Sequence, residues 1–141
     1  MSKRYASIDI GLKRIGCAVS LMAGIVNPKD AILRKNRNQA ASDVDKFLAE
    51  WNIDVLVIGY PESSEDMKPR VEHFSKLLKF DKEMVFQNEN LSSQEAKELT
   101  MGEIKHKRDG RIDSIAAQII LQRYLVLLNN SNKTIFILFE I

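Results

Sequence analysis

No segment limits the architecture as tightly as Val55-Leu56-Val57-Ile58, an unbroken apolar run closed by Gly59 and Pro61. It is too short for a helix and leaves no side open to water. It therefore reads as a strand buried on both faces, in the middle of an α/β sheet. Its neighbours supply the covering layers. Ala40, Val44, Phe47, Leu48 and Trp51 recur at helical spacing with Asp43, Asp45 and Lys46 between them, which predicts an amphipathic helix over residues 39–51. Val71, Phe74, Leu77 and Leu78 give a second helical face, ahead of a short strand at Met84-Val85-Phe86.

Upstream, residues 4–10 alternate, with Tyr5, Ser7 and Asp9 on one face and Ala6, Ile8 and Ile10 on the other, the period of a strand. Ile15 to Met22 forms a second strand-like run. The short link Gly11-Leu12-Lys13-Arg14 favours an antiparallel hairpin. A third strand is expected from Ile25 to Leu33, at an edge because Pro28 cannot donate to a ladder. Downstream, Ser92-Ser93-Gln94-Glu95 matches a capping box and marks a helix start. Residues 102–111 read as a polar loop, and Ile112 to Leu128 as a helix with Ser114, Gln118 and Gln122 on its polar stripe. Asn129-Asn130-Ser131-Asn132 is expected to end that helix. The apolar tail from Thr134 to Phe139 is open to three readings: an added strand, a partner-binding edge or a poorly ordered end. A meander followed by strand–helix crossovers implies a mixed sheet with helices packed on it.

The 141 residues make one domain the default, spanning 1–141. Apolar residues at 45% and charged residues at 28% fit a soluble globular chain. A net charge of +2 is too small to identify a nucleic-acid binder, so local clusters of Lys and Arg must carry that argument. Cys17 is the single cysteine, which excludes an internal disulfide, fits a reducing cytoplasm, and reads as a small buried hydrophobe. No apolar run follows Met1-Ser2-Lys3-Arg4 and none approaches the length of a membrane span, so a cytoplasmic protein without membrane contact is expected. Oligomeric state is not legible in these patterns.

Hydrolysis of a phosphodiester needs a hard cation held by a few Asp or Glu residues that converge from different elements. Zinc chemistry is excluded as a reading, because Cys17, His73 and His106 do not form a ligand set. Asp9 is the first candidate. It interrupts a strand that otherwise looks buried, where an unpaired carboxylate is costly, so it must face a cleft, a cation or hydrogen-bond donors. Otherwise it is an acid ending a strand before a turn glycine. Lys13 and Arg14 stand in the hairpin loop, either solvated or holding a phosphate beside Asp9. Glu89 follows the strand ending at Phe86. Asp113 lies in the first turn of the last helix, where acidic residues also serve as caps. The densest basic run is Lys105-His106-Lys107-Arg108-Asp109-Gly110-Arg111, a backbone-binding patch or a solvated loop.

Together these segments resemble the YqgF family, also called RuvX, RuvC-like members of the ribonuclease H superfamily. Asp9-Ile10-Gly11-Leu12-Lys13-Arg14-Ile15-Gly16-Cys17-Ala18 is close to the family's D-x-G-x-K-R-I-G-x-A opening, and Gly59-Tyr60-Pro61 resembles its G-x-P turn. Asn88-Glu89-Asn90-Leu91-Ser92-Ser93 sits where the family carries D-E-R-L-T-S, and Ile112-Asp113-Ser114-Ile115-Ala116-Ala117 with Leu121-Gln122-Arg123-Tyr124-Leu125 looks like its C-terminal helix. The resemblance covers residues 4–126. It implies a ribonuclease H-like fold with a five-stranded mixed sheet flanked by helices. It also implies a Mg²⁺ or Mn²⁺ site from Asp9, Glu89 and Asp113, and a nuclease that matures the 5′ end of pre-16S ribosomal RNA. Lys13, Arg14, Lys105, Lys107, Arg108 and Arg111 would then meet the nucleic-acid backbone.

Three departures stand out: Asn88 replaces an Asp, Asn90 replaces an Arg, and Glu62-Ser63-Ser64-Glu65-Asp66 replaces a Gly-rich stretch. The last suggests Glu62 as a supplementary metal or water contact. Two other functions remain open at this stage. One is the same chemistry on branched DNA, as a Holliday junction resolvase. The other is a non-catalytic RNA- or ribosome-binding module, favoured by the altered Asn88-Glu89-Asn90. A kinase-type nucleotide site has no phosphate loop to support it.

Overall fold

The computed structural model describes residues 3–22, 24–89 and 114–140, with backbone alone for 130–140. The elements run β1 (Tyr5–Ile10), β2 (Arg14–Met22), β3 (Ile25–Leu33), α1 (Arg37–Glu50), β4 (Val55–Tyr60), α2 (Met67–Leu77), β5 (Glu83–Asn88) and α3 (Ile115–Glu140). The capping box at Ser92 and the loop at 102–111 lie outside the described residues.

The sheet has five strands in the order β3-β2-β1-β4-β5. β1 pairs antiparallel with β2 and β2 with β3, while β1–β4 and β4–β5 are parallel. This is the expected mixed sheet, with Pro28 on the edge strand β3. β1, β3, β4 and β5 therefore all end at the same edge of the sheet, and the short β1–β2 hairpin turns there too. Gly11 N–H donates to Arg14 O at 2.9 Å to close that hairpin.

Strand parity divides the core into two layers. Ala6, Ile8, Leu56 and Ile58 face α1 and α2, where Val44, Leu48, Val71 and Phe74 complete one cluster. Val55 and Val57 point the other way, with Ala18 and Val26, and meet Ala117, Ile120 and Leu121 of α3. The Val55–Ile58 run is fully covered because both faces carry helices. α1 begins on a reciprocal capping box: Asn36 Oδ1 accepts from Gln39 N–H at 2.8 Å, and Gln39 Oε1 from Asn36 N–H at 3.3 Å. Cys17 is buried, and burial pushes its thiol up to about 12, so it packs as a hydrophobe.

α3 corrects the reading of the C-terminus. The helix is not stopped at Asn129-Asn130-Ser131-Asn132 but continues to Glu140, so Thr134 to Phe139 is helix rather than an added strand. Asn and Ser lower helix propensity by only tenths of a kcal/mol each, and no Gly or Pro interrupts the run. A short apolar stretch does not by itself distinguish strand from helix. No helix among the described residues is long and apolar enough to cross a membrane.

Leu56 is fully buried on the central strand. Leu56→Ala is expected to cost about 2–5 kcal/mol, through lost transfer energy and an unfilled cavity. Urea unfolding checks this as a lower midpoint at unchanged slope.

A candidate carboxylate site at the strand ends

Asp9 and Glu89 meet across an intervening strand. Asp9 belongs to the Tyr5–Ser7–Asp9 face of β1, opposite Gly16 of β2. On β4 the same face carries Val55, Val57 and then Gly59. On β5 it carries Val85 and Gln87, and Glu89 continues that parity one residue past the strand end at Asn88. Glu89 N–H donates to Tyr60 O at 3.0 Å, extending the ladder by that residue. Two strand spacings, roughly 9–10 Å, separate β1 from β5. The Glu89 side chain covers that gap because position 59 between them has no side chain. A Cβ on Gly59 would stand 2.9 Å from Glu89 Oε2 and 2.6 Å from Ile120 Cδ1. Gly59 thus does more than end a strand: it is the opening through which the two carboxyl groups hydrogen-bond.

Both acids are half-buried. Burial first, then the charge of Asp9 and the hydrogen bond to it, push Glu89 up to about 8. Two carboxylates in contact need a shared proton or a cation between them. Oxygen donors of this kind fit a hard divalent ion, which takes few protein ligands and completes its shell with water and phosphate. Among the described residues, no three His, Cys, Asp or Glu side chains converge as a metal site. Asp113 lies outside the described residues, as do Lys105, Lys107, Arg108 and Arg111.

α3 is anchored beside Asp9 by polar contacts. Ser7 Oγ donates to Ala117 O at 2.6 Å, and Cys17 N–H donates to Ser114 Oγ at 3.0 Å. The latter occurs where the β2–β3 register shifts between Ile15 and Cys17, the kind of irregularity that releases an amide from its ladder. Among the described residues, no buried side-chain nitrogen or oxygen lacks a partner.

Lys13 and Arg14 are exposed on the hairpin at the same edge. Arg34, which belongs to no sequence motif, braces that hairpin. Its Nη1 donates to Gly11 O at 2.7 Å, and its N–H donates to Lys13 O at 2.9 Å. Its guanidinium lies 5.7 Å over the Phe74 ring. Burial, then the positive charges of Arg37 and Arg70, lower its pKa from the ordinary arginine value.

The chain turns after Tyr60, with Glu62 N–H on Tyr60 O and Ser64 N–H on Pro61 O, and this leaves Glu62 exposed. Its charge acts on the Tyr60 hydroxyl, which donates to Glu72 Oε1 at 2.7 Å and is pushed up to about 12, chiefly by that bond.

Comparison with known proteins places this geometry in context. A family model described as "RuvX: Holliday junction resolvase" matches residues 3–126. A Sulfurovum sp. protein named "Putative pre-16S rRNA nuclease" is 58% identical over 127 residues, covering 88% of this chain and 99% of that protein. Relatives of the same name from Sulfurimonas denitrificans and Helicobacter pylori are 53% and 54% identical, covering 86% and 82% of this chain and 96% and 90% of theirs. Among solved structures, T. thermophilus RuvC in complex with a Holliday junction substrate matches with a TM-score of 0.62 at 9% identity, over 91% of this chain and 97% of that one. The Fowlpox virus resolvase with Holliday junction DNA matches at 0.54 and 12%, over 86% and 98%. At these identities the two structures establish a shared fold.

Two outcomes follow from the pair. Gly59→Ala should fold with a loss of about 1–3 kcal/mol from overpacking against Ile120, and should weaken Mn²⁺ binding about tenfold by displacing Glu89. Thermal unfolding and calorimetric Mn²⁺ titration measure the two effects separately. The second outcome is a pH dependence. Glu89 binds its proton more tightly in the folded chain than in the unfolded one, so the metal-free protein should lose stability as pH rises from about 4.5 through about 8. Urea midpoints in EDTA at pH 5.5 and 8 should show that fall, Glu89→Gln should flatten it, and Mn²⁺ should restore stability at pH 8.

Proposed function

The chain belongs to the RuvX family, and from that premise we propose that it is a divalent-metal-dependent nuclease. Its proposed task is to hydrolyse phosphodiester bonds of ribosomal precursor RNA in the cytoplasm, at the 5′ end of pre-16S rRNA. The observation that carries this reading is the Asp9–Glu89 contact over Gly59, at the edge where the parallel strands end. A buried like-charge pair is unfavourable unless a cation or proton sits with it. Asp9 and Glu89 would hold Mg²⁺ or Mn²⁺. When bound, such an ion offsets the charge developing on the transferring phosphoryl group and makes a water easier to deprotonate.

The rest of the work falls to the chain. Asp113 is proposed as the third acidic residue. Its neighbour Ser114 is tied to Cys17 N–H, beside the Gly16 that pairs with Asp9. Lys13 and Arg14, on the hairpin braced by Arg34, would orient the scissile phosphate, Arg14 through paired hydrogen bonds. Lys105, Lys107, Arg108 and Arg111 would hold flanking backbone. Asn88 and Asn90 take away one acid and one base, which leaves the motif's net charge as it was and keeps the carboxylate that meets Asp9; this argues against a purely non-catalytic module.

Branched DNA is the second reading, favoured by the description of the family itself. Backbone contacts do not separate the two substrates. Asp9→Asn is expected to abolish Mg²⁺- or Mn²⁺-dependent cleavage while keeping the circular dichroism spectrum and a cooperative unfolding transition. Side-by-side assays on ribosomal precursor RNA and a four-way junction assign the substrate. Wild-type turnover by Asp9→Asn on either would refute the site.

A further inference from the structure

The two ends of the sheet treat their basic residues differently. At the end where the parallel strands begin, two lysines are paired with acids and an arginine is held by a carbonyl. Lys82 Nζ is 3.7 Å from Asp54, Lys3 Nζ is 3.9 Å from Glu83, and Arg4 Nε donates to Trp51 O at 2.7 Å. At the opposite end, which carries Asp9 and Glu89, five cations gather from three segments. Lys13 comes from the β1–β2 hairpin, Arg34, Lys35 and Arg37 from the β3–α1 junction, and Arg70 from the first turn of α2. Among the described residues none of the five is in an ion pair. The first turn of α1 holds no acidic residue.

These cations form one surface. Arg34 binds the Gly11 and Lys13 carbonyls on one side and covers Phe74 of α2 on the other, so it fixes the hairpin against the α1–α2 layer. Arg37 and Arg70 are both exposed and lie close enough to Arg34 for their charges to act on it. Beyond Arg37 the surface continues into a hollow of about 480 Å³ lined by Asn36, Arg37, Asn38, His73 and Leu77. Acids stand at this end on the β4–α2 loop and on α2: the charges of Glu62 and Glu65 act on the Tyr60 hydroxyl, which bonds Glu72 of α2, and Glu65 also pairs with Lys68 at 3.2 Å. A polyanion leaving the carboxylate pair is therefore repelled on the β4–α2 side and attracted on the β3–α1 side.

We propose that Arg37 and Arg70 form a second phosphate-binding track, which receives the nucleic-acid backbone after it crosses the Leu12–Arg14 hairpin from the Asp9–Glu89 site to the α1–α2 side. The track rests on the nuclease reading and adds to it the route of the flanking strand. Its ligand is the phosphodiester backbone, common to RNA and DNA. Arg37 and Arg70 hold that backbone by charge and hydrogen bonds and take no part in the chemical step.

The test compares Arg37→Gln/Arg70→Gln with Lys79→Gln/Lys82→Gln, which removes the same charge from the opposite end. Both changes are made in the full chain. Binding to a single-stranded RNA and to a four-way DNA junction is followed by fluorescence anisotropy across a salt series, in Asp9→Asn backgrounds so that the probes stay intact. Loss of two backbone contacts should lower the slope of log K against log salt by about 1.4 on single strands and about 1.8 on duplex arms. The control pair should keep the parental slope. In the cleavage-competent chain, Arg37→Gln/Arg70→Gln should raise KM and leave kcat within about twofold, the pattern of lost binding common to ground and transition states. A reduced slope on only one probe supports the track and assigns its backbone. An unchanged slope on both, in a protein that still cleaves in an Asp9-dependent manner, overturns the track and leaves the nuclease reading standing. Absence of Asp9-dependent cleavage with a reduced slope overturns the nuclease reading and leaves a nucleic-acid track. Binding to neither probe overturns both.

Discussion

Two carboxyl groups pressed together in a half-buried edge of a sheet are unstable company, and the organisation of this end of the molecule follows from having to tolerate them. Asp9 and Glu89 cannot both be charged without something positive between them, and burial raises the cost. The contact exists because β4 presents a glycine where any side chain would block it. Gly59 also admits Ile120, so the same missing Cβ seats the α3 helix and opens the path for Glu89. Folding and site formation thus share one atom-sized vacancy, which makes that position intolerant for two separate reasons.

The two helical layers divide the labour around this pair. α1 and α2 enclose the larger apolar cluster with Ile8, Leu56 and Ile58 and stabilise the sheet. α3 packs on the Asp9 face, where its start is held by hydrogen bonds from Ser7 and Cys17 as well as by Ala117, Ile120 and Leu121. Apolar packing alone would let a helix slide. Two directional contacts to adjacent strands set its register and bring its N-terminal end to the acids. Arg34 does the corresponding work on the other side, tying the hairpin to Phe74.

Overall charge conceals this polarity. A net +2 suggests an indifferent surface, yet Lys82 and Lys3 at one end are matched by Asp54 and Glu83, while among the described residues Lys13, Arg34, Lys35, Arg37 and Arg70 at the other end are in no ion pair. Glu72 of α2, with Glu62 and Glu65 of the β4–α2 loop, acts on Tyr60. Charge counted along the chain averages the two ends. Charge placed by topology separates them, because β1, β3, β4 and β5 all release their chains at the same edge.

Much of this was legible in the order of residues. The Val55–Ile58 run required two covered faces, the alternation around Asp9 set its parity, and Pro28 marked an edge strand; each depends on local periodicity, which survives without knowledge of the fold. Asp9 and Glu89 stood out as acids at strand ends, and their resemblance to a family motif paired them. What the linear pattern could not convey is how they meet. Gly59 read as punctuation because its role depends on Glu89, 30 positions away, and on Ile120, 61 away. Arg34 was invisible because its partners are backbone carbonyls, which every residue carries. The tail was misread for a related reason, since short apolar runs suit either period. Local sequence determined which segments are strands, which faces are apolar and which acids are available. Only tertiary structure decided that an absent side chain joins two of those acids and that Arg34, Arg37 and Arg70 collect at the same end, because both depend on atoms brought together from separate strands and helices.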